Sequence, residues 1–395
     1  MKVAIVGAGA AGCFCAAVLK SLGPETEVHV FEAAARPMKK LALTGGGRCN
    51  ISNSFEGLRS LSEAYPRGER LMSRALKEFT VRDTLAWFEG EGVHFVLQPD
   101  HCWFPASQDA NEIVGTLERA MSRSGVRVHT GRRLRSLRPG WELVFDDGSM
   151  EKADAVVVTT GGAPKGISFL EGLDIEMIPP VPSLFTFRVK ESGMNELMGL
   201  VVDSELSIPG TKFRSDGPLL ITDWGLSGPA ALKLSSYAAR YLAEADYKAP
   251  LSVCWLPGED VQSLLAKHQI DNSKKLISNG LLPHRLWDYL CRRAELREDM
   301  RWGECGRKGL NRLAAVLTQD SYRIDGRAEF REEFVTCGGV SLKEINFTTM
   351  ESKKYPGLYF AGEVLDIDAI TGGFNLQAAW STAWLAAKGV FLSGK

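Results

Sequence analysis

The sequence predicts an α/β fold: an open, mostly parallel sheet wrapped by helices and interrupted by β-rich and helical insertions. Three observations predict it. Val3–Val6 is a short unbroken apolar run, as expected of a strand buried on both faces. It leads directly into Gly7-Ala8-Gly9-Ala10-Ala11-Gly12 and then into apolar residues at helical spacing, the strand–loop–helix order of a dinucleotide-binding unit. Much later, Leu358-Tyr359-Phe360 ends in Ala361-Gly362-Glu363, and Gly372-Gly373 opens another helix. The chain thus returns to its first domain to hold the far end of a long cofactor, and FAD is long enough to need that second grip.

Each part of the first unit has a physical task. Gly7 permits a tight turn, Gly9 lets backbone approach a pyrophosphate, and Gly12 lets helix and strand pack closely. The N–H groups and dipole at the helix start attract phosphate charge. Gly23-Pro24 stops that helix. A second strand, Val28–Phe31, ends in Glu32, placed to accept a ribose 2′-hydroxyl and to disfavour a 2′-phosphate. Thr44-Gly45-Gly46-Gly47-Arg48-Cys49-Asn50 suits neither strand nor helix. It suits backbone lying against a flat or charged ligand, with Lys40 or Arg48 able to meet phosphate; the bland alternative is a surface turn.

Further along, Ile113, Leu117, Ala120 and Met121 mark a helix before the strand at Val126–Thr130. Trp141–Phe145 and Ser149–Lys152 form a hairpin around Asp147-Gly148. Ala155–Thr160 is a buried strand that ends in Gly161-Gly162, a second place where backbone meets the cofactor. Pro179–Pro182 marks a linker. Short strand-like segments follow to Cys254, with one helix over Ala230–Leu242. A polar insertion then carries helices over Glu259–His268, His284–Arg293 and Lys308–Leu317, before the chain returns through 322–334. The predicted division is 1–186 with 336–395 as the nucleotide-binding domain, 187–255 with 319–335 as a β-rich domain, and 256–318 as a helical insertion.

Composition narrows the function. At 395 residues the chain exceeds one ordinary domain, and 45% hydrophobic with 24% charged residues is a globular balance. A net charge of −1 argues against a dedicated nucleic-acid binder. The apolar N-terminal run is broken by glycines and holds a nucleotide fingerprint, so it is not a signal peptide. No other stretch reaches the roughly 18 apolar residues of a membrane span. Eight scattered cysteines without a C-x-x-C pair fit free thiols in a reducing cytoplasm. The six histidines show no metal-binding spacing. Two arginine clusters, at 132–138 and 292–312, read either as an RNA or anionic-substrate surface or as salt-bridged solvated faces; interleaved acids favour the second.

Lys40-Leu41-x-x-Thr44-Gly45-Gly46-Gly47-Arg48-Cys49-Asn50-x-x-Asn53, with Trp224–Ala230 and Val335–Val340, resembles the HI0933-like bacterial flavoprotein oxidoreductases along essentially the whole chain. Relatives in that family include an aminoacetone oxidase and a bile-acid dehydroxylation flavoprotein. The resemblance implies FAD in a Rossmann unit of the two-dinucleotide-binding-domain type, with inserted β and helical domains. By motif it implies FAD contacts at Gly7, Gly9, Ala10, Gly12, Glu32, Lys40, Gly46, Arg48, Cys49 and Asn50, and at Gly362, Glu363, Gly373, Phe374, Asn375 and Leu376. It adds backbone near Val128 for adenine, and Thr160-Gly161 joins the cofactor set. The helix after Gly373 would stabilise charge at the flavin pyrimidine. Three departures, Thr222-Asp223, the shortened 161–166 loop and His101-Cys102, keep any one relative's reaction from being carried over.

The expectation is an FAD-dependent enzyme moving hydride between a small organic substrate and flavin N5, with transient NAD(P)H. Rivals are an O2-using amine or aminoketone oxidase and an RNA-modifying flavoprotein. Cys49, Asn50 and Asp223 are the candidate acid–base groups.

Overall fold

The computed structural model describes residues 1–163, 166–191, 193–278, 280–328 and 335–394. Pro164 and Lys165 of the shortened loop, and 329–334 of the return segment, lie outside the described residues. The chain forms two compact units, Met1–Val181 with Phe334–Lys395, and Pro182–Glu333.

The first unit is built on a five-stranded sheet, all of whose pairings are parallel. Its order is Leu358–Phe360, Ala155–Val158, Lys2–Val6, Glu27–Phe31, Arg127–His129. Lys2–Val6 and Ala155–Val158 read as near-continuous Val, Ile and Ala because both faces are covered; Val3, Ile5, Val157 and Val158 are wholly buried. The late strand Leu358–Phe360 registers Val157 against Tyr359, so two segments two hundred residues apart share one ladder. The first helix, Ala10–Leu22, packs against the C-terminal helix, Phe374–Ser393. That last helix lacks a strongly one-sided pattern because its buried residues run all round it, from Phe374 to Val390.

The second unit contains a closed barrel of six strands, in the order Phe187–Val189, Gly225–Ser227, Arg214–Ile221, Val201–Ser207, Lys248–Cys254, Asp320–Arg327. Closure leaves no unpaired edge. Helices Val261–Asp271, His284–Arg293 and Arg307–Gln319 share one apolar core with the barrel, including the fully buried Trp255, Trp287 and Trp302.

Three expected helices shift at their ends. The helix expected from Glu259 begins after Asp260, whose carboxylate accepts the Ser263 N–H and caps it. The last reaches Gln319. The stretch expected over Ala230–Leu242 is two helices, Gly228–Tyr237 and Ala239–Glu244, divided at Ala238. Pro229 occupies the first turn, where its missing N–H costs nothing.

Candidate functional site

The loop after the first strand is forced by its neighbours at two positions and left open at one. A Cβ on Gly7, at φ +105°, would lie 2.6 Å from the Thr159 carbonyl oxygen, and one on Gly12 would lie 2.0 Å from the Gly7 oxygen. A Cβ on Gly9 would meet nothing within 4 Å, and Gly9 has ordinary extended backbone. Among the described residues nothing fills the space of a side chain there, which leaves the helix start open to a ligand. Glu32 accepts from the Ala8 N–H (2.8 Å) and the Ala34 N–H (2.7 Å), one on each carboxylate oxygen. Each oxygen keeps a further lone pair for a ribose hydroxyl. Val128 is half-exposed on the edge strand.

At the end of the Ala155–Val158 strand, the Thr160 hydroxyl is buried and has no partner among the described residues. A buried hydroxyl without a partner costs about 1–3 kcal/mol, so this atom points to a missing polar ligand. Gly161 follows at φ +74°. Glu363 faces the same region: its carboxylate accepts the Thr336 N–H (2.7 Å) and pairs with Lys40 (3.1 Å). Sequence reasoning aimed Lys40 at phosphate and Glu363 at ligand hydroxyls, whereas the structure pairs them with each other. The Gly362 N–H is held by the buried Thr382 hydroxyl (2.9 Å).

The triple-glycine segment is irregular, as expected. A single helical turn from Lys39 gives way to extended Thr44 and then to left-handed Gly45, Gly46 and Gly47. Arg48 caps its own loop through the Gly45 carbonyl (3.2 Å) and lies 4.5 Å over the Phe104 ring. Cys49 is fully buried and burial pushes its thiol up to about 12. Such a shift favours the neutral thiol, the form in which Cys49 would act as an acid. The Asn50 amide donates to the Ser52 carbonyl (2.9 Å) and accepts from the Gly373 N–H (3.3 Å). Both of its ends thus tie the loop to neighbouring backbone, one of them at the start of the C-terminal helix.

Gly373, at φ +85°, starts the C-terminal helix, and no side chain caps it. The Asn375 amide is also spoken for: it accepts from the Ala369 N–H (2.9 Å) and donates to the Ala369 carbonyl (3.0 Å). The backbone N–H groups of Phe374, Asn375 and Leu376 lie in the first turn of that helix. Sequence reasoning missed the residues that hold this turn. Tyr65 donates to the Phe374 carbonyl (2.8 Å), Asn53 to that of Gly372 (3.0 Å), and Arg67 forks onto the buried Asp368. Asn53 lies in the quoted motif and was available as a signal; the others carry none.

Asp223 is exposed in the turn between two barrel strands of the second unit, beside half-exposed Trp224. Many of the clustered arginines are acid-paired: Arg138 with Glu142 (3.0 Å), Arg292 with Glu196 (2.9 Å), and Arg293 with Asp320 (2.8 Å) and Glu191 (3.0 Å). Among the described residues no helix is long and apolar enough to cross a membrane, and no cluster of three or more His, Cys, Asp or Glu could hold a metal.

Residues 1–389 match the HI0933-like protein Rossmann domain. The chain belongs to that family. With it come the Rossmann-type FAD-binding fold, the FAD cofactor and the oxidoreductase class: this is an FAD-dependent oxidoreductase of the HI0933-like family. The Gly9 opening and the partnerless Thr160 hydroxyl fit such a cofactor. The chain is 29% identical to a ribosomal RNA dihydrouridine synthase of Escherichia coli (strain K12), covering 97% of this chain and 96% of that one. It is 26% identical to a 3-dehydro-bile acid delta(4,6)-reductase of Clostridium scindens, covering 98% of each. In fold it resembles a 3-ketosteroid delta1-dehydrogenase of Sterolibacterium denitrificans, with TM-score 0.54, 12% identity and 99% of each chain covered.

Proposed function

We propose that this protein reduces a carbon–carbon double bond conjugated to a carbonyl in a small organic molecule, with NAD(P)H as a transient electron donor. One observation carries the reading: two differently named relatives align with nearly the whole chain. A delta(4,6)-reductase of a 3-oxo bile acid and a dihydrouridine synthase are named for one chemical act, the saturation of an alkene activated by a neighbouring carbonyl. When bound, FAD supplies hydride transfer at N5.

The chain's own residues bind and orient. Gly7, Gly9, Ala10 and Gly12 would hold the pyrophosphate against the first helix's N–H groups. Glu32 would accept the adenosine ribose hydroxyls, and backbone at Val128 would lie against adenine. Thr160, Gly161, Gly362 and Glu363 would hold the ribityl portion, with Lys40 fixing the Glu363 carboxylate. Gly46, Arg48, Cys49 and Asn50 would line the flavin end through their backbone. Gly373, Phe374, Asn375 and Leu376 would offer helix N–H groups, whose positive end favours negative charge on the reduced ring. Cys49, Asn50 and Asp223 are the candidates for proton delivery. The division into 187–255 with 319–335 and 256–318 stays part of this proposal.

A second reading places the alkene in ribosomal RNA. Two relatives bearing the dihydrouridine name favour it; the −1 net charge and acid-paired arginines favour a small substrate. The test is anaerobic: protein reduced by NADPH or NADH is mixed with a 3-oxo-Δ4 steroid or with unmodified ribosomal RNA. Reoxidation by the steroid supports the first reading, and by RNA alone the second. If neither accepts electrons and only an amine bleaches the oxidised flavin, the protein is an amine oxidase and the proposal falls.

A further inference from the structure

The turn that delivers the C-terminal helix is pinned at almost every residue. Asp368 is wholly buried, and Arg67, itself mostly buried, meets it with both prongs of the guanidinium, Nε to Oδ1 at 2.5 Å and Nη2 to Oδ2. Arg67 and Asp368 also form an isolated antiparallel bridge. Around that pair, the Ile370 N–H donates to the Ala64 carbonyl (2.9 Å) and Gly68 leaves no room for a Cβ beside Ile367, which would come within 2.5 Å. Tyr65, wholly buried, donates to the Phe374 carbonyl. One segment, 64–68, therefore grips the turn from Ile367 to the first residue of the helix.

A buried ion pair is weak as a source of stability, because desolvation offsets most of the attraction; its best-attested use is to select one geometry. The geometry selected here is the start of a helix. Helix-dipole effects fall off within the first turn, so a shift of that start by a fraction of its pitch changes what the dipole does to a neighbouring charge. We propose that Arg67 and Asp368, with Tyr65, are positioning residues that aim the N-terminus of the C-terminal helix at the flavin and thereby set FAD retention and reduction potential. This rests on the reading above that Gly373–Leu376 face the flavin ring.

The experiment measures the FAD dissociation constant of the apoprotein, the flavin reduction potential by dye equilibration, and melting temperature. The variants are Arg67→Lys, Tyr65→Phe and the apolar pair Arg67→Met with Asp368→Leu. Arg67→Lys keeps the charge but loses the fork; it should weaken FAD binding by about two- to fivefold, the equivalent of one modest helix-dipole contact, and move the potential more negative. Tyr65→Phe should shift both in the same direction, less. The apolar pair should melt near the parent temperature and still show the shifted potential. Should Arg67→Lys not fold, Tyr65→Phe and the apolar pair decide. Unchanged affinity and potential in the folded variants overturn the proposal. Gly373→Ala, which disturbs the helix start itself, separates the two claims. A shift there alone leaves the flavin reading standing without the clamp; no shift anywhere removes both.

Discussion

Two glycines, Gly225 in the barrel and Gly9 in the first unit, occupy opposite surroundings. In the barrel, Gly225 sits at φ +150°, and a Cβ would lie 2.2 Å from the Phe187 carbonyl oxygen. Gly228 is likewise enclosed, 2.8 Å from the Pro218 oxygen. Those positions are glycine because the protein's own backbone fills the space. In the first unit, Gly9 faces open space with an unstrained backbone. The polar groups divide in the same way. Asp320 in the second unit is nearly wholly buried yet accepts from the Trp255 indole (3.0 Å), the Tyr322 hydroxyl (2.5 Å) and Arg293. The Thr160 hydroxyl in the first unit is buried and has no partner among the described residues. Gly225 and Asp320 are thus accounted for by the protein's own groups, whereas Gly9 and the Thr160 hydroxyl are not.

That contrast can be broken in order of effect. Gly225→Ala combines a near-forbidden φ with a backbone clash, so it should cost about 3 kcal/mol or more, read as a large fall in melting temperature of the apoprotein. An unchanged melting temperature would show that the barrel wall yields. Gly9→Ala should do the converse. The apoprotein should melt within a degree or so of the parent, while FAD binding weakens by at least about tenfold, or about 1.4 kcal/mol. Equal loss of stability and affinity would erase the distinction between the two glycines.

A smaller effect concerns protons at the sheet edge. His129 stacks on Phe31 and His29 and lies 3.0 Å from the His29 ring nitrogen, with Arg127, Arg132 and Glu151 around it. Burial, then the neighbouring His29 and Arg132, hold its pKa below the usual 6.5. A base with a depressed folded pKa binds fewer protons folded than unfolded, so stability drops as pH falls below 6.5 toward the folded value. Melting temperature should decline over that window, and the decline should flatten in His129→Asn. Smallest of all is a chemical readout. With its thiol at about 12 and no exposure, Cys49 should resist iodoacetamide at pH 8 in the native holoprotein and react only after denaturation; rapid native labelling would show that the loop opens.

What was legible in the sequence was whatever depends on short stretches. Val3–Val6 with its glycine loop, Glu32, the Asp147-Gly148 hairpin and the strand before Gly161 were all readable, because local sterics and burial on both faces dictate their residue types. Closure of the barrel was not. Phe187–Val189 is only three residues long and meets Asp320–Arg327 across more than a hundred residues of chain. Nor was the pairing of Arg67 with Asp368, 301 residues apart, since neither residue has a neighbour announcing it. The candidate site was legible as a set of positions but not as a set of contacts. Lys40, Asn50 and Asn375 were singled out because polar side chains in a ligand motif read as pointing at the ligand. In the structure Lys40 pairs with Glu363, and the Asn50 and Asn375 amides bond to neighbouring backbone, contacts that no local pattern announces.

The ladder between Ala155–Val158 and Leu358–Phe360 also sets a timetable for biosynthesis. A ribosome adds on the order of 5–20 residues per second. The first four strands therefore wait many seconds, while the entire barrel and its helices are translated, before the fifth strand and the closing helix emerge. During that interval the nascent sheet carries one raw edge and an uncovered apolar flank. The outer neighbour of Ala155–Val158 and the helix that covers Ala10–Leu22 are the last parts of the first unit to be made.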